Sequence, residues 1–93
     1  MIKSYKDSEV KKIFDGQTTR KFPVKIQQVA RRKLRMLNNA HNINDLRIPP
    51  ANRLEKLKGD LKGFHSIRIN EKWRIVFKFQ TADAYNVQII DYH

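Results

Sequence analysis

The last six residues of the chain, QIIDYH, place three polar side chains directly after an apolar run. Ile89 and Ile90 predict a buried strand, and Asp91, Tyr92 and His93 follow it. A carboxylate, a phenol and an imidazole can each move a proton in acid–base catalysis. Chain ends usually fray and carry dispensable residues. Here the polar side chains follow a buried strand directly, so we interpret them as part of a site that the strand holds in place.

Charged residues from the preceding strands could complete such a site. The candidates are Glu55, Lys56, Lys58, Arg68 and Arg74. A guanidinium group matches the geometry of phosphate and can stabilise the charge that develops on phosphorus. Cleavage of RNA would then need a base for the ribose 2′-hydroxyl and an acid for the leaving oxygen, and the Glu, Asp, Tyr and His side chains can all serve. This chemistry requires no metal.

Simpler interpretations of the same residues remain open. Lysine and arginine on a solvated sheet face are ordinary, and Glu55 could do no more than pair with a neighbouring lysine. Asp91 and His93 supply two ligands where a zinc site needs three or four, so we expect neither a metal nor another cofactor. His41 and His65 stand alone and are interpreted as surface or structural residues.

The charge of the chain is strongly positive and unevenly distributed. Twenty Lys and Arg residues against nine Asp and Glu residues give a net charge of +11. The stretch between Asp15 and Asp45 contains no acid, and its seven bases are Arg20, Lys21, Lys25, Arg31, Arg32, Lys33 and Arg35. Self-repulsion of this kind destabilises a fold, so the clustering predicts a polyanionic partner such as nucleic acid.

Length and composition predict a single domain over residues 1–93. The chain has no cysteine, which excludes disulfides and thiolate metal sites and fits a reducing compartment. The N-terminal stretch MIKSYKDSEVKKIF lacks the apolar core of a signal peptide. No apolar run approaches the length of a membrane span. We expect a cytoplasmic protein that does not associate with membranes.

Two helices are predicted in the first half of the chain. Asp7 or Ser8 can cap a short helix that Gly16 ends, and a longer helix begins near Pro23 and runs to about Asn39. The longer helix has an apolar stripe, with Arg31, Arg32 and Arg35 on its opposite side and Lys33 inside the stripe. The two prolines of RIPPANR end the helical region.

Strands are predicted at the N-terminus and throughout the second half of the chain. The segments are MIKSYK, RLEKLKGD, FHSIRIN, KWRIVFKF and YNVQIIDY. Short turns between the last four predict antiparallel pairing. The expected fold class is α+β, with the order β-α-α-β-β-β-β and both helices on one face of an antiparallel sheet.

Alternation along the strands assigns the side chains to faces. In KWRIVFKF, the apolar set that includes Trp73 and Ile75 faces the helices. Arg74 and Lys78 then share the open face with Arg68, so we expect Arg74 to be exposed and its loss to cost little stability. Residues of one parity in the last strand, Gln88, Ile90 and Tyr92, share that face, whereas Asp91 and His93 point away unless the tail curls.

The segments that carry these residues resemble a known family. RLEKLKGDLKGFHSIRINEKWRIVFKF, followed by VQIIDYH, resembles the HigB toxins of the RelE/ParE superfamily, and especially the GraT-like plasmid-maintenance killer proteins. MIKSY and PPANRLE fit as well, so the resemblance covers essentially the whole chain. It implies a RelE-like, microbial-RNase-like fold and the activity of a ribosome-dependent mRNA endonuclease that cuts codons in the A site.

The resemblance also implies roles for individual residues. Arg74 takes the position of the arginine that stabilises the transition state. Lys58 takes the position of the basic residue that binds phosphate. The catalytic trio is Asp91, Tyr92 and His93. Some HigB proteins have a histidine where this chain has Glu55, so either Glu55 or His93 is the general base.

Several partners are implied as well. They are a HigA-type antitoxin with a helix-turn-helix domain, the 70S ribosome and mRNA, with operator DNA bound only through the antitoxin. Arg31, Arg32 and Arg35 would dock on ribosomal RNA, and Lys56, Arg68 and Lys78 would contact RNA at the sheet. The alternatives are a ParE-like toxin that inhibits gyrase without nuclease chemistry and a passive nucleic-acid-binding module.

Overall fold

The computed structural model describes residues 1–91 and places two helices against a four-stranded antiparallel sheet. The helices are α1 (Ser8–Phe14) and α2 (Val24–Asn39); the strands are β1 (Glu55–Lys56), β2 (His65–Arg68), β3 (Trp73–Gln80) and β4 (Asp83–Asp91). Short 3₁₀ helices lie at Ile43–Arg47, Pro50–Asn52 and Gly59–Leu61. Strands that are consecutive in the chain are adjacent in the sheet. The predicted α+β class is confirmed. Within residues 1–91, no helix is long and apolar enough to cross a membrane.

The hydrophobic core lies between the two helices and one face of the sheet. Its fully buried members include Val10, Ile13, Ala30, Leu34, Leu37, Ile67, Ile75, Phe77 and Val87. The half-buried Trp73 packs edge-on against Phe22, with 5.9 Å between ring centroids. Apolar residues at helical spacing in α2 therefore meet apolar residues at strand spacing in β2, β3 and β4, as the sequence predicts.

A side-chain cap fixes the start of α1, and a buried amide in the first turn of α2 binds the segment that precedes that helix. The Asp7 carboxylate accepts a hydrogen bond from the Glu9 N–H at 2.9 Å, which caps α1. Helix α2 begins directly after Pro23. The buried Gln27 amide donates to the carbonyl oxygens of Thr19, at 2.7 Å, and Phe22, at 2.8 Å. These bonds hold the connection between the helices against α2.

The predicted N-terminal strand is wrong in part. The segment runs beside β4 but forms only two isolated parallel bridges, Ile2 with Ala84 and Tyr5 with Val87. The ladder is interrupted at Asn86, which has a positive φ of 53° and whose N–H donates to the Ser4 hydroxyl at 2.9 Å and not to a backbone carbonyl. The sheet therefore has four strands and not five. The strand predicted for RLEKLKGD is also shorter than expected, since β1 spans two residues.

The β3–β4 hairpin sets the register of the functional residues. Its turn residues Thr81 and Ala82 both have positive φ, 50° and 69°, which is the conformation of a type I′ turn. The register shifts between Val76 and Lys78, close to Asn86, whose φ is 53°. Beyond this irregularity the strands pair regularly to Asp91.

Candidate active site

Arg74 lies on the distal face of the sheet, which we define as the face opposite the hydrophobic core. Cross-strand partners share a face, and Arg74 is paired with Arg68 of β2 and Ile90 of β4. The face assignment from alternation is therefore confirmed. The predicted exposure is wrong, because only 6% of Arg74 is accessible to solvent. Its neighbours Ser66 and Val76 are fully buried, so the centre of the distal face is not open.

Hydrogen bonds to two neighbouring residues fix the Arg74 guanidinium. Its Nε donates to the Ser66 hydroxyl at 2.8 Å. A terminal nitrogen donates to the carbonyl oxygen of Arg53 at 2.6 Å and, more weakly, to that of Ser66 at 3.4 Å. These acceptors hold the guanidinium in one plane, which is the preorganisation that stabilisation of a transition state requires. The expectation that Arg74 could be removed at little cost is therefore wrong.

Glu55 lies beside Arg74. Its strand position pairs with Ser66, which places Glu55 on the distal face. One carboxylate oxygen lies 3.7 Å from the second terminal nitrogen of Arg74, while about half of the Glu55 side chain, 47%, stays exposed. An exposed carboxylate next to a fixed guanidinium can accept a proton from a bound hydroxyl group and can also orient the arginine.

Two further predicted residues share the distal face. Arg68 is half-buried next to Arg74. Lys78 is half-buried opposite Tyr85, and its ammonium lies 5.0 Å from the centroid of the Phe64 ring. This cation–π contact holds the Lys78 ammonium at the distal face, where its charge can attract a phosphate.

The lysine within β1 and the lysine just after it are placed differently. Lys56 pairs with His65, and therefore lies on the core side of the sheet, so the prediction that it shares the Arg74 face is wrong. The cause is the pleat: Glu55 and Lys56 are adjacent and point to opposite faces. Lys58 is exposed just beyond β1, at the start of the 3₁₀ helix Gly59–Leu61.

The packing of His65 confirms the interpretation of this histidine as a structural residue. It stacks on Phe77 with 6.2 Å between ring centroids, on the core side of β2. Burial lowers its pKa, and the charges of Lys56 and Arg47 lower it further. Its buried Nδ1 has no hydrogen-bond partner among residues 1–91.

The three arginines of α2 do not form one docking surface. Arg32 and Arg35 are exposed, as predicted. Arg31 is half-buried, and its guanidinium donates to the carbonyl oxygens of Ile13 at 2.8 Å and Gln17 at 3.2 Å. Carbonyls at the end of a helix lack partners within the helix, so Arg31 serves to bind the end of α1 to α2. Its prediction as a free docking residue is corrected.

Asp91 ends β4 on the core side, opposite Trp73. Its carboxylate lies 3.5 Å from the Lys72 ammonium. The strand continues regularly to this residue, so Asp91 does not share the distal face with Arg74. Tyr92 and His93, the other two members of the predicted trio, lie outside the described residues.

The sequence alone does not single out two residues that shape this site, Ser66 and Arg53. Ser66 was overlooked because serine on a strand is common, although its alternation with Ile67 put it on the Arg74 face. Arg53 contributes its backbone, which sequence does not reveal, although it has the left-handed φ of 45° that turns its carbonyl. Lys33 was recognised within the apolar stripe of α2, and only 5% of it is exposed.

The sequence of this chain matches an established family. The profile described as "RelE-like toxin of type II toxin-antitoxin system HigB" matches residues 3–93. The chain belongs to the HigB-like toxin family. It is similar to Toxin HigB-1 of Vibrio cholerae, with 38% identity over 90 residues that cover 96% of this chain and 95% of the relative. It is also 34% identical to Endoribonuclease HigB of Proteus vulgaris over 93 residues, which cover both chains completely.

Solved structures agree with this HigB-like fold. A toxin–antitoxin complex of YoeB and YefM from Staphylococcus aureus contains a chain that matches with a TM-score of 0.61. The match covers 100% of this chain and 95% of the other at 22% sequence identity. At this identity the comparison supports the shared fold, two helices on an antiparallel sheet, and the RelE-like prediction is confirmed.

Proposed function

We propose that this HigB-like protein is a ribosome-dependent mRNA endonuclease that cuts codons in the A site and thereby arrests translation. The observation that carries the proposal is the fixed guanidinium of Arg74 with Glu55 beside it at 3.7 Å. The name of the relative from Proteus vulgaris, Endoribonuclease HigB, supports the same chemistry.

The proposed reaction uses the ribose 2′-hydroxyl as nucleophile. A base, Glu55 or His93, removes the hydroxyl proton, and the oxygen attacks the adjacent phosphorus. The bond from phosphorus to the 5′-oxygen breaks, leaving a 2′,3′-cyclic phosphate. Tyr92 or His93 protonates the departing oxygen, since Asp91 lies on the opposite face from Arg74. Arg74 stabilises the additional negative charge on the phosphoryl oxygens during this step, and Lys58 binds phosphate.

Charge supports docking on the ribosome. The net charge of +11 attracts ribosomal RNA, and the exposed Arg32 and Arg35 extend the basic surface along α2. Arg68 and Lys78 contact the RNA at the distal face. We propose a HigA-type antitoxin with a helix-turn-helix domain as the neutralising partner and cytoplasm as the location. Operator DNA is bound only through that antitoxin.

Cleavage of A-site mRNA on programmed ribosomes tests the proposal. We expect Glu55→Gln to slow single-turnover cleavage by about 10²-fold, a typical effect of losing an acid–base group. Glu71→Gln, which makes the same change at an exposed position in the β2–β3 connection, should cleave at the wild-type rate.

Mapping 5′ ends after brief expression provides the test in cells. Cuts within codons of translated messages support the endonuclease. Growth arrest with intact messages and a DNA-damage response would instead indicate a ParE-like action on gyrase. Arrest with intact messages and no such response would indicate passive binding, and either result would reject the proposal.

A further inference from the structure

A basic pocket lies where α2, the chain around Arg53 and the end of β2 meet. Its charged lining residues are Arg32, Lys33, Arg53 and Arg68, and no acidic residue lines it. The volume of about 440 Å³ lies in the range of ligand pockets, about 300–1,000 Å³. Four cations around one concave surface concentrate positive potential and attract an anion.

Lys33 is the unusual member of this basic pocket. Its side chain is 95% buried in the apolar stripe of α2, with 5% exposed, and residues 1–91 give its ammonium no hydrogen bond or ion pair. Burial lowers the pKa of Lys33, and the charges of Arg32, Arg68 and Arg74 lower it further. The Lys33 Nζ is not among the buried polar atoms that lack a partner, so the ammonium reaches the surface of the pocket, where a bound anion can contact it. Among residues 1–91, no acidic side chain lines the pocket, and a bound anion would relieve the repulsion between its four cations.

The basic pocket adjoins the candidate active site through two residues. The carbonyl of Arg53 accepts a hydrogen bond from Arg74 at 2.6 Å, while its side chain lines the pocket. Arg68 is the cross-strand partner of Arg74 and lines the pocket as well. The pocket and the surroundings of Arg74 are therefore adjacent, as binding of two phosphates of one RNA strand requires.

We propose that the basic pocket is a second phosphate site, which binds a phosphodiester of the substrate RNA strand at a linkage other than the one that is cleaved. The inference rests on the proposed function, because it takes RNA as the ligand. Arginine forks bind two phosphate oxygens at once, and the lysine ammonium adds a point charge at the base of the pocket. The pocket thereby fixes the position of the strand relative to Arg74.

The test measures binding of a short oligonucleotide with 2′-deoxyribose throughout, which cannot be cut through a 2′-hydroxyl group. Lys33→Met keeps the length of the buried side chain and removes its charge. We expect binding about 10-fold weaker and a slope of log affinity against log salt that is shallower by about 0.7. Lys25→Met makes the same change at an exposed position of α2 outside the pocket and should leave both values unchanged.

Neutral linkages identify the phosphate that the pocket binds. A methylphosphonate is placed at one linkage at a time, and each oligonucleotide is titrated against wild type and Lys33→Met. We expect one linkage whose neutralisation weakens wild-type binding about 10-fold but has little effect on the variant, as for two groups that contact each other. If the neutral linkage and Lys33→Met are coupled in this way but the protein cleaves no mRNA, the result supports the second phosphate site and rejects the endonuclease.

Three results would overturn the inference. The first is equal sensitivity of both proteins at every linkage, in a variant whose thermal melt shows it to be folded. The second is that Lys33→Met binds the oligonucleotide as wild type does but binds ribosomes without mRNA more weakly. This result would assign the pocket to ribosomal RNA. The third is a loss of affinity only for the antitoxin, which would assign it to a carboxylate of that protein.

Discussion

Replacing Ser66 with alanine tests whether cleavage depends on the orientation of the Arg74 guanidinium and not only on its presence. The substitution keeps the guanidinium but removes the hydroxyl that accepts the Nε–H at 2.8 Å. Ser66 is fully buried, so water cannot replace the lost acceptor. A buried donor left without a partner costs about 1–3 kcal/mol. For a domain of this size, about 2 kcal/mol lowers the melting temperature by about 8–16 °C.

The effect on cleavage should exceed this loss of stability. Without the Ser66 hydroxyl, Arg74 keeps its bond to the Arg53 carbonyl but loses the acceptor that fixes its Nε, so the guanidinium can turn away from the phosphoryl oxygens. A misplacement of about 1 Å in a reacting group can cost about 10²-fold in rate. We therefore expect single-turnover cleavage to slow by about 10–100-fold at a temperature where the variant is folded. Arg74→Lys, which loses the planar fork, should slow cleavage by about 10²–10³-fold.

Ser4→Ala is the matched control for this experiment. The Ser4 hydroxyl accepts a hydrogen bond from the Asn86 N–H at 2.9 Å, at an exposed position away from Arg74. We expect a loss of about 0.5–1.5 kcal/mol with no change in cleavage rate. A Ser66→Ala protein that cleaves at the wild-type rate would refute the role of Arg74 orientation. An unchanged melting temperature would refute the buried hydrogen bond itself.

Three further predictions concern docking, the tail and acid stability. Replacing both Arg32 and Arg35 with Gln should weaken ribosome binding and reduce its dependence on salt, measured by sedimentation at several salt concentrations; binding with an unchanged salt slope would contradict this role. Deleting Tyr92 and His93 should abolish toxicity while the melting temperature changes little, and growth arrest at equal protein abundance would show the tail to be dispensable. The pKa of Asp7 is lowered: burial alone would raise it, but hydrogen bonds from a lysine ammonium and a backbone N–H outweigh burial. Its folded-state pKa lies below the unfolded value of about 3.9, so its contribution is present above about pH 4 and is lost as pH falls through the folded pKa. An alanine at this position should therefore cost about 1 kcal/mol near pH 7 and flatten the acid limb of urea titrations, and parallel acid limbs in both proteins would contradict the assignment.

The sequence predicts the elements better than it predicts the exposure of the site. Helix α2 ends at Asn39 as expected, because its apolar period and the prolines beyond it are local signals. The alternation of Trp73 and Ile75 also assigns Arg74 to the correct face. Its burial could not be predicted, since it depends on the Arg53 carbonyl, which reaches it from 21 positions away in the chain.

The remaining differences have similar physical causes. Arg31 carries the same charge as Arg32, and only the three-dimensional position of the end of α1 shows that its guanidinium binds carbonyl groups there. The sequence predicts too long a first strand, because it does not show that the Asn86 N–H of β4 takes the Ser4 hydroxyl as its acceptor where a ladder bond would form. Long-range partners therefore decide the details that local patterns leave open.

The broken pairing of the N-terminal segment has a consequence for solubility. β4 is nine residues long, and a strand of that length at the edge of a sheet is a template for aggregation. The N-terminal segment occupies part of this edge, since the Lys3 and Lys6 amides donate to the carbonyl oxygens of Ala84 and Val87 at 2.8 and 3.0 Å. The N-terminal segment itself is too irregular to pair with a strand of another molecule. The segment thus occupies the edge of β4 from Ala84 to Val87 and leaves no uninterrupted row of free backbone groups there for the strand of another copy.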